Sequence, residues 1–204
     1  YMDVIMLNQN GINNAVASLG TAFSLYHLEN LFKFKNKIIF CFDSDEAGLK
    51  AAWRSLNQCI NIIYADRTVR FLFLPAGEDP DSFILKNGKE EFLKKAENAL
   101  VLENFVFQYL KRGKNLESPE DIRLISHELQ NLTKNIEADI LKETLVNKIS
   151  KELGVSKEAL VATKKSAPKA NAQLVEQPSR TKTDKSFLLF IYIYSNFKDS
   201  IIEK

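Results

Sequence analysis

Two short apolar runs in the first half of the chain each end in a cluster of carboxylates. The first run, residues 38–42, is followed by the acidic turn 43–45, and the second, residues 69–74, by the acidic turn 78–81. An apolar run of about five residues that stops at a turn predicts a strand buried on both faces, as in a parallel sheet. The functional crevice of an open α/β sheet lies beyond the carboxyl ends of such strands, so the two turns are expected to meet there.

The carboxylates of these turns allow two interpretations. Asp43 or Asp45 could cap the helix expected to begin near Ala47, and Asp79 or Asp81 could cap the helix after Pro80. Capping explains one acid in each turn but not all of them. Several carboxylates at one place repel one another, and a hard divalent cation such as Mg²⁺ or Mn²⁺ would offset that repulsion. The two turns together therefore favour a divalent-metal site that takes part in phosphoryl transfer.

Composition restricts the kind of protein. The 204 residues are 45% apolar, which predicts a folded domain with an appendage, and no apolar run approaches the length of about 20 residues that spans a bilayer. We therefore expect no membrane partner. The two cysteines have no zinc-like spacing, which is typical of a reduced cytoplasmic protein. Apolar residues from the first position onward, without a leading cap, lead us to expect that the chain begins inside an element of a longer protein.

Charge is distributed unevenly along the chain. Residues 164–186 carry six basic and two acidic side chains, so the net charge of +2 conceals a slightly acidic segment 1–163. That segment is not expected to be a basic nucleic-acid groove. The basic stretch also contains two prolines and few apolar residues, and is predicted to be a flexible linker that contacts DNA weakly or acts only as a tether.

Strand and helix patterns alternate over the first hundred residues, as in βαβ units. A strand is predicted over 14–19, and helices over 24–32, 47–64, 80–87 and 89–100. From about residue 101 only helical patterns continue. Ser118-Pro119 predicts a helix start, Gly154 a helix end and Ser156 one further start. The predicted architecture is a parallel sheet with flanking helices followed by a small helical bundle, with an apolar segment from 187 that opens another helix.

The acidic turns also resemble a known family. The residues Phe42-Asp43-Ser44-Asp45-Glu46-Ala47-Gly48 are similar to the metal-binding turn of Toprim domains. The strand 69–75 with Gly77-Glu78-Asp79-Pro80-Asp81 resembles the bacterial DnaG-type primases within that superfamily, and so do residues 1–4 and 14–22. The resemblance extends to about residue 163.

The resemblance implies an enzyme that makes short RNA primers from ribonucleoside triphosphates on a single-stranded DNA template. It implies metal binding by Asp43, Asp45, Asp79 and Asp81, of which Asp43 and Asp45 are the candidate catalytic residues, and it adds Asp3 to the metal ligands. The family's catalytic glutamate precedes Tyr1 and a zinc-binding domain lies further upstream, so this chain alone is expected to be inactive. A cytoplasmic location at the bacterial replisome is also implied.

The same resemblance implies a division of the chain into four parts. Residues 1–100 correspond to the C-terminal part of the Toprim domain, 101–163 to a helical subdomain of the polymerase core, 164–186 to the linker and 187–204 to the start of a domain that binds the replicative helicase. Three residues depart from the family pattern: Ser44 replaces a common glycine, Glu46 stands where a basic residue is frequent, and Ala76 replaces a common aspartate.

Other functions remain open at this point. A topoisomerase or nuclease of the Toprim superfamily would use the same acids, and a non-catalytic scaffold that tethers a helicase-binding module would use none. Asp-x-Asp also occurs in haloacid-dehalogenase-type phosphotransferases, but those require Ser or Thr where this chain has Ala47. His27, His127, Trp53, Arg54 and Arg70 are expected to have packing or surface roles.

Overall fold

The computed structural model describes residues 2–18, 24–64, 66–134, 136–161 and 189–191. Eight α-helices are described within these ranges: α1 Met2–Gln9, α2 Leu25–Phe32, α3 Glu46–Cys59, α4 Pro80–Glu97, α5 Leu102–Leu110, α6 Pro119–Thr133, α7 Asp139–Leu153 and α8 Lys157–Val161. The described strands are β1 Ala15–Ala17, β2 Lys37–Phe42, β3 Thr68–Phe73, β4 Leu100–Val101 and β5 Leu189–Ile191. None of the described helices is long and apolar enough to cross a membrane.

The strands form one mixed sheet in the order β1-β5-β2-β3-β4. The strands β2 and β3 are parallel neighbours, with Lys37 opposite Thr68 and Phe42 opposite Phe73. The other described pairings are antiparallel. Because β2 and β3 run side by side and end in register, the segments that follow them leave the sheet at the same edge.

Successive residues of β2 pack into two different cores, as the period of two along a strand requires. Ile38, Phe40 and Phe42 belong to the core that also holds residues of α2, α3 and the later helices. Ile39 and Cys41 belong to the core on the opposite face, which α1 and α4 cover. Burial on both faces explains why the strand reads as a continuous apolar run.

The later helices join the sheet through α5. Phe105 stacks on Phe71 of β3 with ring centroids 4.0 Å apart, and it also contacts Phe73. Trp53 of α3 stacks on Tyr109 of α5 at 4.2 Å, so the expected packing role of this tryptophan is confirmed. The helices α5 to α8 pack on one another, and their buried residues are continuous with those of the sheet.

Most predicted helix limits are confirmed. Ser24 precedes α2, Ser118 accepts a hydrogen bond from Asp121 N–H at the start of α6, and Gly154 ends α7 in the left-handed conformation. The two helices predicted on either side of residue 88 are one element, α4, interrupted by non-helical Gly88.

The sheet differs from the prediction in three places. It is mixed rather than wholly parallel, although its central pair β2–β3 is parallel as predicted. The two-residue strand β4 was not predicted, because so short a strand leaves no periodic pattern. Residues 189–191, predicted to be helical, pair as a strand with β1 and β2, since a Leu-Phe-Ile run also suits a strand. The linker and the rest of 187–204 lie outside the described residues.

Candidate metal-binding site

The first acidic turn joins β2 to α3. Asp45 is the N-cap of α3, and its carboxylate accepts a hydrogen bond of 2.7 Å from the backbone N–H of Gly48. Gly48 is buried against the turn: a Cβ at this position would overlap the carbonyl oxygen of Asp43 and lie 2.9 Å from its carbonyl carbon. The glycine therefore allows the helix to begin close beneath the turn, which leaves the Asp43 side chain exposed at the sheet edge.

The second acidic turn joins β3 to α4. Asp79 is the N-cap of α4, and its carboxylate accepts hydrogen bonds from the N–H of Ser82 at 2.8 Å and from its hydroxyl at 2.6 Å. These bonds hold the pKa of Asp79 below its usual value. Pro80 fixes the first helical position, where no N–H is needed. Glu78 forms an ion pair of 2.6 Å with Lys86.

Asp3 reaches the site from a third element. It lies in the first turn of α1, which packs on α4, and the backbone N–H of Asp81 at the start of α4 favours its ionised form. Burial raises the pKa of Asp3, and the charge of Asp79 raises it further. The acid from α1 thus stands beside the turn that precedes α4.

Asp43 is affected by the charges of carboxylates from both acidic turns and from α1. The pKa of Asp43 is raised, first by desolvation and then by the negative charges of Asp45, Asp3 and Asp79. A raised carboxylate pKa means that the folded, metal-free protein disfavours the ionised form. The structure therefore brings these four carboxylates close enough to repel one another.

The two turns line an open groove of about 300 Å³. Its walls are Asp43, Ser44, Asp45, Ala76, Gly77, Glu78 and Asp79. Beside it, Asp81 Oδ1 and Glu78 Oε2 are buried oxygen atoms without a hydrogen-bond partner in the described structure. Unsatisfied buried carboxylate oxygens are costly unless something binds them.

The donor set fits a divalent cation in its chemistry. All donors are carboxylate oxygens, which Mg²⁺ and Mn²⁺ prefer. The pKa values of Asp3 and Asp43 are raised, and one buried oxygen of Asp81 has no hydrogen-bond partner in the described structure. In the described part of the chain, no group of three or more His, Cys, Asp or Glu side chains is arranged so that it could hold a metal ion by itself. An open arrangement suits Mg²⁺, which commonly uses one or two carboxylates and fills its shell with water and substrate phosphates.

Glu46, the acid that departs from the family pattern, does not add an unpaired charge to the groove. Its carboxylate pairs with Arg112 at the end of α5 and with Lys50 at 3.3 Å. These two partners hold the pKa of Glu46 below its usual value. The pair with Arg112 also ties the first acidic turn to the helical bundle.

The structure places all five predicted site residues at one edge of the sheet. It assigns capping to Asp45 and Asp79, and leaves Asp3, Asp43 and Asp81 without that role. Sequence reasoning did not select Glu78 or Gly48 as site residues. Glu78 could have been selected because it lies within the second acidic cluster. Gly48 could have been selected because it is a glycine in the first turn of a predicted helix.

Two family models match the chain. A model described as Toprim-like matches residues 1–84, which contain both acidic turns. A model described as the DnaB-helicase binding domain of primase matches residues 104–158, which contain most of α5 and all of α6 and α7. The second match lies outside residues 187–204, where the sequence resemblance places the start of a helicase-binding domain.

Relatives and solved structures agree with these matches. The DNA primase of Escherichia coli K12 is 37% identical over 178 residues, covering 87% of this chain and 30% of the relative. A DNA primase domain from Pseudomonas aeruginosa is 39% identical with a TM-score of 0.72, covering 78% of this chain and 50% of that structure. The chain is homologous to the DnaG-type primases over most of its own length. A further solved structure, a DnaG primase catalytic domain bound to single-stranded DNA, is 39% identical with a TM-score of 0.68, covering 76% of this chain and 48% of that structure.

The chain spans about a third of the length of the curated DnaG-type relatives it matches and about half of the solved catalytic cores. The similarity covers the Toprim-like residues 1–84, within which both acidic turns of this chain lie, and the helices that pack on them.

Proposed function

We propose that this chain is part of a DNA primase that synthesises short RNA primers on single-stranded DNA during replication. The observation that carries the proposal is the convergence of carboxylates from α1 and from the turns after β2 and β3 around Asp43. In this proposal the chain works in the bacterial cytoplasm as part of the replisome, and further parts of the protein supply the remaining catalytic groups.

The proposed metal ligands are Asp3, Asp43, Asp45, Asp79 and Asp81. When bound, Mg²⁺ or Mn²⁺ would neutralise the triphosphate of the incoming nucleotide and make the 3′-hydroxyl of the primer a better nucleophile. Asp43 does not cap a helix, and its pKa is raised by desolvation and by the charges of Asp45, Asp3 and Asp79, which a bound cation would offset.

The protein's own contribution is to hold these carboxylates in place before substrate binds. Asp45 and Asp79 are fixed by the N–H groups that they cap, and each keeps a second oxygen for a ligand. The backbone N–H of Asp81 favours the ionised form of Asp3. Positioned groups of this kind need little rearrangement during the reaction, which is the main source of catalysis in phosphoryl and nucleotidyl transfer.

The proposed partners are a single-stranded DNA template, ribonucleoside triphosphates and the replicative helicase. The match of residues 104–158 to a helicase-binding model supports the helicase. The proposed domains remain a Toprim part over 1–100, a helical subdomain over 101–163, a basic linker over 164–186 and the beginning of a further domain from 187.

The test is synthesis of labelled RNA oligomers on single-stranded DNA by the protein as its gene encodes it. Wild-type protein with Mg²⁺ or Mn²⁺ is compared with Asp45→Asn, which keeps an oxygen for the helix cap. Short ribonucleotide products that disappear in the variant would support the proposal. Comparable synthesis by the variant would contradict the assignment of Asp45.

The same assay separates the alternatives. Metal-dependent cutting of the DNA without RNA products would identify a nuclease or topoisomerase with the same acidic turns. A protein that neither synthesises RNA nor cuts DNA in this assay would favour the third alternative, a scaffold that tethers a helicase-binding module.

A further inference from the structure

A second groove lies at the opposite end of the parallel strand pair from the acidic turns. It has a volume of about 260 Å³ and includes three basic side chains among its walls, Lys37, Arg67 and Arg70. The acid that lines it is Glu103, one of whose oxygens already accepts a hydrogen bond of 2.9 Å from the Thr144 hydroxyl. The groove therefore presents an excess of positive charge, in contrast to the acidic turns.

Local contacts hold the two arginines at this groove. The guanidinium of Arg67 lies between two rings, 5.0 Å from the centroid of Phe32 and 4.6 Å from that of Tyr64. Arg70 donates a hydrogen bond of 2.9 Å to the carbonyl oxygen of Glu97. A guanidinium has five N–H donors, so a single backbone contact leaves others that a ligand could use. Fixed arginines of this kind suit phosphate oxygens.

Exposed aromatic rings accompany the basic side chains. Tyr64 is 49% exposed although its ring stacks on Arg67, and Phe34 is 76% exposed. Phe34 belongs to the turn Lys33-Phe34-Lys35-Asn36 ahead of β2. That turn is joined to the loop carrying Arg67, because the Thr68 N–H donates to the Asn36 carbonyl oxygen at 2.7 Å and the Asn36 side chain bonds Asp66. Two exposed aromatic rings, those of Phe34 and Tyr64, therefore belong to the segments that border the basic groove.

We propose that this groove and its aromatic rim bind a single strand of nucleic acid. Lys37, Arg67 and Arg70 would contact successive phosphates, and Tyr64 and Phe34 would stack on unpaired bases. Cationic grooves bordered by aromatic rings are the general solution for binding single strands without sequence preference. A duplex would offer its phosphates to the same cations, but its bases are already stacked and would not engage the rings.

The groove is a separate site from the acidic turns. Six residues of extended chain separate Lys37 from Asp43, which corresponds to about 20 Å along β2. The groove would therefore give the same sheet a second binding site for single-stranded nucleic acid. Its existence does not depend on the proposed primase activity, and it can be measured without any synthesis.

The first test compares charge-matched variants of the 204-residue chain. Binding of a fluorescein-labelled thymidine oligonucleotide is followed by anisotropy at several salt concentrations, for Lys37→Gln/Arg70→Gln and for the control Lys151→Gln/Lys157→Gln. Both variants lose two charges and keep the basic stretch 164–186, but the control lysines are exposed on α7 and α8. Losing two phosphate contacts should reduce the slope of log K against log salt by about 1.4 in the groove variant alone.

The second test addresses the rings. Tyr64→Ala should weaken binding of the single strand by about fivefold or more, whereas Tyr64→Phe, which keeps the ring over Arg67, should bind as wild type does. Equal affinities and slopes for the groove and control variants would overturn the proposal. Equal affinity for duplex and single strand, with no effect of Tyr64→Ala, would also overturn it.

Discussion

At the scale of single residues, Asp45 and Asp79 each cap a helix, and each is also a proposed metal ligand. Each caps a helix with one oxygen and faces the acidic groove, and N-capping and metal binding are compatible because a carboxylate has several lone pairs. The sequence alone presented these as alternatives. The structure shows that the helix cap itself fixes the direction of the proposed ligand.

The capping role of Asp45 and its proposed role as a metal ligand can be separated by substitution. Asp45→Asn keeps a capping oxygen, so its free energy of unfolding should stay close to wild type, whereas Asp45→Ala should lose about 1 kcal/mol. Both should abolish metal-dependent synthesis, since neither keeps the charge. Urea unfolding measures the loss of stability, and the synthesis assay measures the loss of activity. An active Asp45→Ala protein would show that Asp45 only caps the helix and does not take part in synthesis.

Removing the charge of Asp43 should increase the stability of the protein and abolish its metal binding. Its pKa is raised in the folded protein, so the folded state favours the protonated form, and the stability linked to this group is present at low pH and lost as pH rises through the folded pKa. Asp43→Asn should therefore raise the Tm of the metal-free protein at neutral pH and lose metal binding. Thermal unfolding with chelator present, at acidic and neutral pH, measures this. A Tm lowered at both pH values would contradict the account.

At the scale of elements, the sequence was most informative where a pattern is long. The strands β2 and β3 were predictable because burial on both faces requires continuous apolar runs, and α6 and α7 because their caps and stripes agree. The strand β4 was not predictable, since two residues carry no period. The proximity of Asp3 to the second turn came only from family resemblance, because no local pattern reports that α1 packs on α4.

The close approach of α3 to the first acidic turn gives a prediction for Gly48. Gly48→Ala places a methyl group against the Asp43 carbonyl, so either the turn or the helix must shift. Metal-dependent activity should fall even though alanine favours helices. A suitable control is Gly113→Ala, whose φ of +67° costs about 1–2 kcal/mol with no atom near the added methyl. Mn²⁺ binding should fall in the first variant and not in the second.

At the scale of the whole molecule, the sheet and the helical bundle share one continuous core. Phe105, 1% exposed and stacked on Phe71, is at its centre. Far-UV dichroism and the fluorescence of Trp53, the single tryptophan, should therefore report the same unfolding transition.

Phe105→Ala should destabilise the protein by about 3–5 kcal/mol, and Phe105→Leu should cost less because it leaves a smaller cavity. Both measurements use urea unfolding. Two separate transitions in the wild-type protein, or a negligible loss in Phe105→Ala, would show that sheet and bundle fold independently.

The central claim is that the two acidic turns form a single divalent-metal site. The most direct measurement is Mn²⁺ binding to the 204-residue chain, by electron paramagnetic resonance, in wild type, Asp43→Asn and Asp79→Asn. The account predicts saturable binding that either substitution weakens, although the two residues belong to different turns. Binding that is absent in wild type, or that only one of the two substitutions affects, would contradict it.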